Sequence, residues 1–317
     1  MNGPVTAFAP GSIGNVGPGL DILGLAVAGD GDAVRAEWLP EPGLRILDPG
    51  HPELPREPDR HTSGLAARAV LDRAGAVLAR SRGVGLTVRK GLPLSGGQGG
   101  SAASAVAGAV AMNALLGDPL GTIELIEACL DAEEAVAGRH ADNIAPALLG
   151  GLVLIRSMDP LDVLRLPVPA ELYVVLAHPE QRMRTADARM VLPSQVSRAV
   201  ALHQAAQVAA MVAAVALDDY ELLGRSVDDQ IAEPARARLL PGFPEAKAAA
   251  LAAGALGSSI SGSGPTAFAL ARGRESAERI AAAMEGAYRA RGIGCRVRAG
   301  PVDRSGATVT HEGGAPR

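Results

Sequence analysis

The chain has 317 residues, a net charge of −4 and 2% aromatic residues, and it carries no long run of Lys or Arg. This composition excludes a nucleic-acid surface, which needs a basic stripe and often stacking rings. The N-terminus shows no signal-peptide pattern, and the longest apolar run, 205–217, is shorter than the about 20 residues of a membrane span. We therefore expect a cytoplasmic protein without a membrane partner. The distant Cys129 and Cys295 are expected to be reduced packing residues.

The first half of the chain alternates apolar runs, helical patterns and breakers. In chain order we predict a strand over Val5–Ala9 that ends at Pro10-Gly11, an apolar return segment over Leu20–Val27, an exposed excursion over Pro40–Arg60, a helix over Ser63–Arg80, a strand over Val84–Val88, helices over Ala105–Leu116 and Leu120–Ala137, and a loop-to-strand segment over Ala147–Ile155.

The second half begins with Pro160–Pro169, which contains three prolines and is interpreted as a domain linker. Beyond it we predict a buried strand over 172–177, helices over 186–191, 197–217, 220–231 and 244–253, a strand over 267–270, a helix over 275–291, a strand over 294–299 and a frayed tail from residue 303. Strands and helices are mixed in both halves, which indicates α+β or α/β domains.

The most informative stretch is the glycine-rich segment Pro93–Ser104, which leads directly into a predicted helix. Glycines let backbone N–H groups converge on a phosphate, and the first helical turn leaves further donors unpaired. No Lys-Ser or Lys-Thr follows the last glycine, so the segment is not a Walker loop, and the dinucleotide fingerprint does not match either. The segment predicts an anion-binding loop; the alternative is a small-residue helix start selected for close packing.

Three further segments place polar residues at irregular or helical positions. Asn15 and Asp21 lie in a loop rich in glycine and proline, where they either point into a cleft or satisfy a tight turn. Thr185 and Arg189 are four residues apart, so on a helix they share a face and can clamp a carboxylate, unless they mark a solvated helix end. Leu256–Pro265 is a second glycine-serine loop, or alternatively a hairpin loop.

A fourth segment contains His140, Asp142 and Asn143, which can orient a polar substrate. It follows a predicted helix that carries Glu133 and Glu134. One of these carboxylates can hold Mg²⁺, which prefers one or two protein oxygens together with phosphate oxygens. The alternative is a helix-capping turn beside a solvated acidic face.

Together these segments resemble the GHMP kinase superfamily and, within it, the homoserine kinases. Pro93–Ser104 is similar to the superfamily's phosphate loop, Asn15–Asp21 to its first motif and Gly254–Pro265 to its third. The closer resemblance rests on three segments: His140–Gly151, Arg184–Pro193 and Glu233–Phe243. It implies a two-domain α+β fold, with an ATP-binding domain at 1–160, a C-terminal domain at 161–317 and an active-site cleft between them.

The activity implied by this resemblance is ATP-dependent phosphorylation of the side-chain hydroxyl of L-homoserine in threonine biosynthesis, by a homodimer that uses Mg²⁺. The resemblance implies that the ATP phosphates contact Pro93, Gly96, Gly97, Gln98, Gly99, Gly100, Ser101, Ala102, Ala103 and Ser104. It implies that the substrate contacts Asn15, Asp21, His140, Asp142, Asn143, Thr185, Arg189, Arg236 and Gly262. Asn143, Ser101 and Arg189 are the expected catalytic residues, and Ser101 with Glu134, or with Glu133, is the expected metal site.

The sequence departs from the superfamily pattern at the phosphate loop. Gln98 stands where a large apolar residue is common, and Gly100-Ser101 replaces two adjacent serines. Several sister kinases have a proposed Asp base where the homoserine kinases have Asn, here Asn143. Because an amide takes up no proton at neutral pH, we expect catalysis by positioning without a protein base. Two alternatives stay open: a sister kinase for another alcohol, and a non-catalytic protein of the same fold.

Overall fold

The computed structural model describes residues 3–75, 82–136 and 138–312 and contains two β-sheets. The first sheet has seven strands: β1 Val5–Gly14, β2 Leu23–Leu39, β3 Gly43–Asp48, β4 Gly83–Arg89, β5 Leu152–Met158, β6 Leu161–Leu166 and β11 Thr308–His311. Its main path runs β11-β1-β2-β4-β3, while β5 pairs with the start of β2 and β6 pairs with β5. Among the described strands of this sheet, β3 and β4 pair in parallel and all other pairs are antiparallel.

Four helices cover the first sheet: α1 Thr62–Arg73, α2 Gly100–Leu116, α3 Thr122–Glu134 and α4 Ile144–Leu149. The central helix α2 packs against β1 and β2 and is itself covered by α1 and α3. It consists largely of alanine and glycine, and it is apolar on all sides because it is enclosed on all sides. Its N-terminus is therefore held rigidly by the core.

The second sheet is antiparallel and has the order β10-β7-β9-β8. Its strands are β7 Leu172–Pro179, β8 Gly257–Ile260, β9 Ala267–Arg272 and β10 Cys295–Pro301. The helices of this half are α5 Thr185–Met190, α6 Arg198–Leu217, α7 Tyr220–Ser226, α8 Ala232–Ala237, α9 Phe243–Ala252 and α10 Arg274–Ala290.

Both faces of the second sheet are buried, and β7 shows why. Val174 and Leu176 pack with α6, α7 and the ends of β1 and β2, whereas Val175 and Ala177 face α9 and α10. Successive side chains of a strand point to opposite faces, so a continuous apolar run suits a strand that is covered on both sides. The cluster that contains Val174 also contains residues of the first sheet, so the two halves share an apolar core.

Several sequence expectations about elements are corrected. The predicted linker over Pro160–Pro169 is wrong, because residues 161–166 form β6 and continue the first sheet. The predicted frayed tail is also wrong, because β11 pairs with β1. The strand from Val5 does not end at Pro10-Gly11 but continues to Gly14 through a shift in register. The division at residue 160 remains a prediction; β6 and β11 both lie beyond it in the chain and belong to the first sheet.

The remaining differences concern boundaries and short elements. The exposed excursion over Pro40–Arg60 contains β3, and α8 and β8 were not anticipated. The helix predicted over Ser63–Arg80 ends at Arg73, and its last predicted part, 76–80, lies outside the described residues, as does Ala137. Cys129 and Cys295 are both free, as expected, and burial raises the pKa of the Cys129 thiol.

Candidate active site

A cavity of about 540 Å³ opens between the two halves of the molecule. The first half contributes the glycine-rich loop, the end of α3 and the segment around Asp142. The second half contributes α5, Arg236 of α8 and the turn at Gly262. The cavity has a glycine-rich end and a charged end, so it can bind an anionic chain next to a small polar molecule.

The glycine-rich loop ends where α2 begins. Gly99 is the residue before the helix and has φ +68°, and a Cβ on it would lie 2.1 Å from Ser12 Oγ. Only glycine fits there without a shift of the neighbouring backbone or side chain. The N–H groups of the first helical turn and the dipole of this 17-residue helix are therefore available to an anion.

Three carbonyls of the loop are held by groups outside it. Thr266 Oγ1 donates to Gly96 O at 2.6 Å, Ser261 Oγ donates to Gly97 O at 2.6 Å, and Ser12 N donates to Gln98 O at 3.1 Å. In a trans peptide the N–H of the next residue points the opposite way from the carbonyl. The N–H groups of residues 97–99 are thus turned away from these partners, and in the described part of the chain they meet no protein acceptor.

Glu133 is a carboxylate that lines the cavity beside Ser101 of the loop. Burial raises its pKa, while a hydrogen bond with Ser101 and the charge of Lys90 act to lower it. Its Oε1 atom is buried and has no hydrogen-bond partner. The neighbouring Glu134 points elsewhere: its side chain is 62% exposed and pairs with Arg139 at 3.3 Å. The cavity is thus lined by Glu133 and Ser101 and not by Glu134.

Lys90 is a buried cation that motif reasoning did not find. Its Nζ donates to Gly100 O and to Ser104 Oγ, both at 2.9 Å, and it pairs closely with Asp32. Ser104 Oγ in turn donates to Asp32 at 2.6 Å. This network fixes the start of α2 and uses the Ser104 hydroxyl internally. The sequence signal that could have identified Lys90 was its position just before the glycine-rich segment.

Asp21 and Arg189 form the centre of the charged end. Arg189 donates to both carboxylate oxygens of Asp21, at 2.8 and 3.3 Å, and His140 Nδ1 lies 3.6 Å from Asp21. Burial acts to raise the pKa of Asp21, but the hydrogen bond and charge of Arg189, with His140 and Arg236, hold it below its usual value. Burial lowers the pKa of His140, which Asp21 partly offsets.

Arg236 lies behind this pair and is only 3% exposed. It donates to Gly262 O at 2.8 Å and to Ala188 O at 3.2 Å, so it links α8 to α5 and to the turn after β8. Asn15 also donates to Gly262 O, at 3.3 Å, and its Oδ1 accepts from the Asp21 N–H at 3.1 Å. Four predicted segments therefore meet at one place: Asn15–Asp21, Arg184–Pro193, Glu233–Phe243 and Gly254–Pro265.

Asp142 and Asn143 lie between the two ends of the cavity. Asp142 is buried and accepts from the Asn15 N–H at 3.2 Å; burial, reinforced by the charge of Asp21, raises its pKa to about 7. Asn143 Oδ1 accepts from Ser12 Oγ at 2.9 Å. A Cβ at Gly14 would come within 2.5 Å of both side chains, so the backbone of β1 determines where they lie.

Gln204 of α6 connects the loop around Asp21 to α8. Its amide donates to Pro18 O at 2.7 Å and to Asp229 Oδ1 at 2.9 Å, and its carbonyl accepts from the Gln230 N–H at 3.2 Å. Asp229 caps the start of α8 by accepting from three consecutive backbone N–H groups. All three hydrogen bonds of Gln204 are made inside the protein, which favours a single geometry for the charged end.

The cavity brings together every residue predicted to contact the substrate: Asn15, Asp21, His140, Asp142, Asn143, Thr185, Arg189, Arg236 and Gly262. Of the predicted phosphate loop, the side chains of Gln98 and Ala103 do not line it. The cavity also reaches Leu54, Pro55 and Arg60, which lie in the segment interpreted as an exposed excursion, and His61 and Thr62 at the start of α1. Motif reasoning missed these five residues. No cluster of three or more His, Cys, Asp or Glu that could hold a metal occurs among the described residues.

Comparison with known proteins agrees with this geometry. The family models described as "GHMP kinases N terminal domain" and "GHMP kinases C terminal" match residues 61–151 and 211–290. A homoserine kinase of Chlorobium phaeobacteroides (strain BS1) is 44% identical over 294 residues, covering 90% of this chain and 92% of that protein. The chain belongs to the homoserine kinase family.

Two further homoserine kinases extend this family assignment. The homoserine kinase of Arabidopsis thaliana is 42% identical over 90% of this chain and 78% of its own length. The crystal structure of homoserine kinase from Cytophaga hutchinsonii ATCC 33406 superposes with a TM-score of 0.93 at 41% identity, over 98% of both chains. The α+β, two-part GHMP kinase fold expected from the motifs is therefore confirmed.

Proposed function

We propose that this cavity performs the reaction of the family in this chain, with ATP at the glycine-rich end and L-homoserine at the charged end. The chain is an ATP-dependent phosphotransferase of threonine biosynthesis that converts the side-chain hydroxyl of L-homoserine to its phosphate ester. The observation that carries the site assignment is the hydrogen-bonded pair of Asp21 and Arg189, with the charge of Arg236 nearby, beside an unpaired set of loop N–H groups.

The glycine-rich end suits a polyphosphate. Backbone N–H groups and the start of α2 supply positive potential, and the cation Lys90, which is paired with Asp32, also lines this end of the cavity. Leu54, Pro55, Pro93 and Leu94 give the neighbouring wall an apolar character that suits a nucleotide base.

Ser101 and Glu133 fit a magnesium ion. The pair offers one hydroxyl and one carboxylate whose Oε1 is buried without a partner, and Mg²⁺ takes one or two protein oxygens together with phosphate oxygens. When bound, the ion would neutralise charge on the phosphates. Glu134 points away from the cavity, so of the two alternatives we assign Glu133.

The charged end matches an amino-acid zwitterion. A substrate ammonium can take the carboxylate of Asp21, and a substrate carboxylate can take Arg189 and Arg236 with the hydroxyl of Thr185. An alcohol without both charges would leave Asp21 and Arg189 unused. The charge pair therefore favours homoserine over the substrates of sister kinases.

Asn143 is assigned as the residue that aligns the reacting hydroxyl. Its Oδ1 is occupied by Ser12 Oγ, which leaves Nδ2 to contact an oxygen in the cavity. Phosphoryl transfer depends on in-line placement and on neutralisation of charge, and it asks little covalent chemistry of the protein. We therefore propose catalysis by positioning, without a protein base.

The decisive assay is ADP release by the purified protein with MgATP and L-homoserine, D-homoserine, L-serine, L-threonine or mevalonate. Release that depends on L-homoserine, with formation of O-phospho-L-homoserine, is the expected result. Turnover of another alcohol would move the substrate assignment to a sister kinase. ATP binding without any turnover would support the non-catalytic alternative.

The exposed face of α6 supports the proposed homodimer. Within the described residues α6 is the helix with the length and composition of a membrane span, which alone is weak evidence for one, and only 22% of its apolar window is buried. Leu202 and Leu217 are 65% and 73% exposed. Arg198 at its start and Asp218 after its end are exposed, so an antiparallel second copy, along about 30 Å of helix, would pair the opposite charges.

Light scattering after gel filtration tests this assignment. The wild type is expected at twice the chain mass and Leu202→Asp at the monomer mass, while Leu251→Asp, an exposed leucine on α9, should remain a dimer. A monomeric wild type, or one that sediments with anionic lipid vesicles, would refute the dimer on α6.

A further inference from the structure

Gln98 is the one polar side chain of the glycine-rich loop that turns away from the cavity. It is 5% exposed and reaches the second half of the molecule. Its Oε1 accepts from Arg298 Nη2 at 3.2 Å, and its Nε2 donates to Thr266 Oγ1 at 3.3 Å. Gln98 therefore ties the loop to the strands β10 and β9.

The Thr266 hydroxyl can make its contact with Gln98 in one orientation only. Its hydroxyl proton goes to Gly96 O at 2.6 Å, so its oxygen accepts from Gln98 Nε2 at 3.3 Å and from His178 Nδ1 at 3.0 Å. A hydroxyl has one donor and two acceptor positions, and all three are used. The Nδ1-protonated form of His178 follows from this count.

Arg298 is held at both terminal nitrogens of its guanidinium, while its Nε is buried without a hydrogen-bond partner. Its Nη1 donates to Ala28 O at 3.2 Å, and its Nε lies 3.7 Å from Asp30 Oδ2. The guanidinium thus spans from β2 to the loop, starting from an edge strand of the second sheet. A Cβ at Gly11 would lie 3.4 Å from Arg298 Nη2 and 3.3 Å from Gln98 O, so the glycine at the register shift between β1 and β2 makes room for the pair.

We propose that Arg298 is a positioning residue for the phosphate loop, and that it acts through the side chain of Gln98. Gln98 stands at a position where a large apolar residue would make an apolar contact. The two directed hydrogen bonds of its side chain instead fix the orientation of the peptide groups on either side of Gln98. Those peptides carry the N–H groups assigned to the ATP phosphates, so the proposal rests on the proposed function. Arg298 touches neither substrate.

The pair is tested by a double-mutant cycle of Gln98→Leu and Arg298→Leu. Each single change leaves a buried polar group without its partner, whereas the double change removes both. Each single variant is expected to bind a fluorescent ATP analogue about tenfold more weakly, with the KM for ATP raised by the same factor and the KM for L-homoserine within about twofold of wild type. The double variant is expected to lie within about threefold of wild type.

Arg296→Leu is the matched control, because it removes the same charge from the same strand two residues earlier and Arg296 is exposed. It should leave ATP binding unchanged. The proposal is overturned if the losses of ATP binding in the two single variants multiply in the double variant. It is also overturned if the KM values for ATP and L-homoserine rise equally, or if Arg296→Leu shows the same loss of ATP binding. Failure of the wild type to phosphorylate L-homoserine would instead refute the proposed function, and the analogue-binding cycle would still decide the coupling.

Discussion

Replacing Asp142 by Asn tests the electrostatics at the centre of the cavity. Burial raises the pKa of Asp142 from 3.8 to about 7. The charge of Asp21 adds to this rise, while Arg189 and the N–H of Asn15 act against it. The folded protein therefore keeps the carboxyl protonated over a pH range in which the unfolded chain has already lost the proton.

The sign of the pH dependence follows from proton binding. Between pH 3.8 and about 7 the folded state binds more protons at this position, so its contribution to stability falls as pH rises and levels off above pH 7. Each pKa unit corresponds to about 1.36 kcal/mol. From pH 5 to pH 8 the free energy of unfolding of the wild type should fall by about 2.7 kcal/mol relative to that of Asp142→Asn.

Urea unfolding of both proteins at pH 5 and pH 8 measures this difference. Any effect of the amide on stability that does not depend on pH, such as a changed hydrogen bond to Asn15, cancels when the two pH values are compared. Asp59→Asn, an exposed aspartate outside the cavity, provides the baseline for an Asp-to-Asn change. A stability gap between Asp142→Asn and wild type that is the same at both pH values would refute the electrostatic argument.

Three further predictions concern residue roles. Glu133→Gln is expected to raise the Mg²⁺ concentration for half-maximal rate at least about tenfold, with Glu134→Gln unchanged; equal effects of the two in a Mg²⁺ titration would contradict the metal assignment. Arg189→Leu should raise the KM for L-homoserine by about 10- to 100-fold and leave the KM for ATP unchanged, as steady-state kinetics with each substrate varied will show. Asn143→Asp should lower kcat as strongly as Asn143→Ala, because a carboxylate there repels the phosphates; an active Asn143→Asp would indicate base chemistry.

The local patterns of the sequence were sufficient for the larger elements and for the substrate end of the cavity. Thr185 and Arg189 share a face because a helix brings residues four apart together, and both line the cavity. Glycine at 99 predicted a close approach of backbone, and its φ of +68° agrees. Polar residues in irregular segments, such as Asn15 and Asp142, likewise proved to lie in the cavity.

Short and edge elements were missed because their pairing partners are distant in the chain. β11 lies in a polar tail, yet it pairs with β1 about 300 residues earlier, which no local pattern announces. β6 contains charged and apolar residues between prolines, and its pairing with β5 decides its conformation. The intrinsic strand propensity of a segment is a weak guide when its conformation is decided by hydrogen bonding to a single strand that is distant in the chain.

The sequence alone identified most of the residues that line the cavity, because glycine loops, capped helices and spaced cations depend on neighbours within a few positions. Tertiary structure decided which way individual side chains point. Glu133 and Glu134 are adjacent, and only the packing of α3 places the first in the cavity and the second in solvent. Gln98 sits in the middle of the glycine-rich loop and yet faces Arg298, 200 residues away, because the two halves close on each other through a shared apolar core.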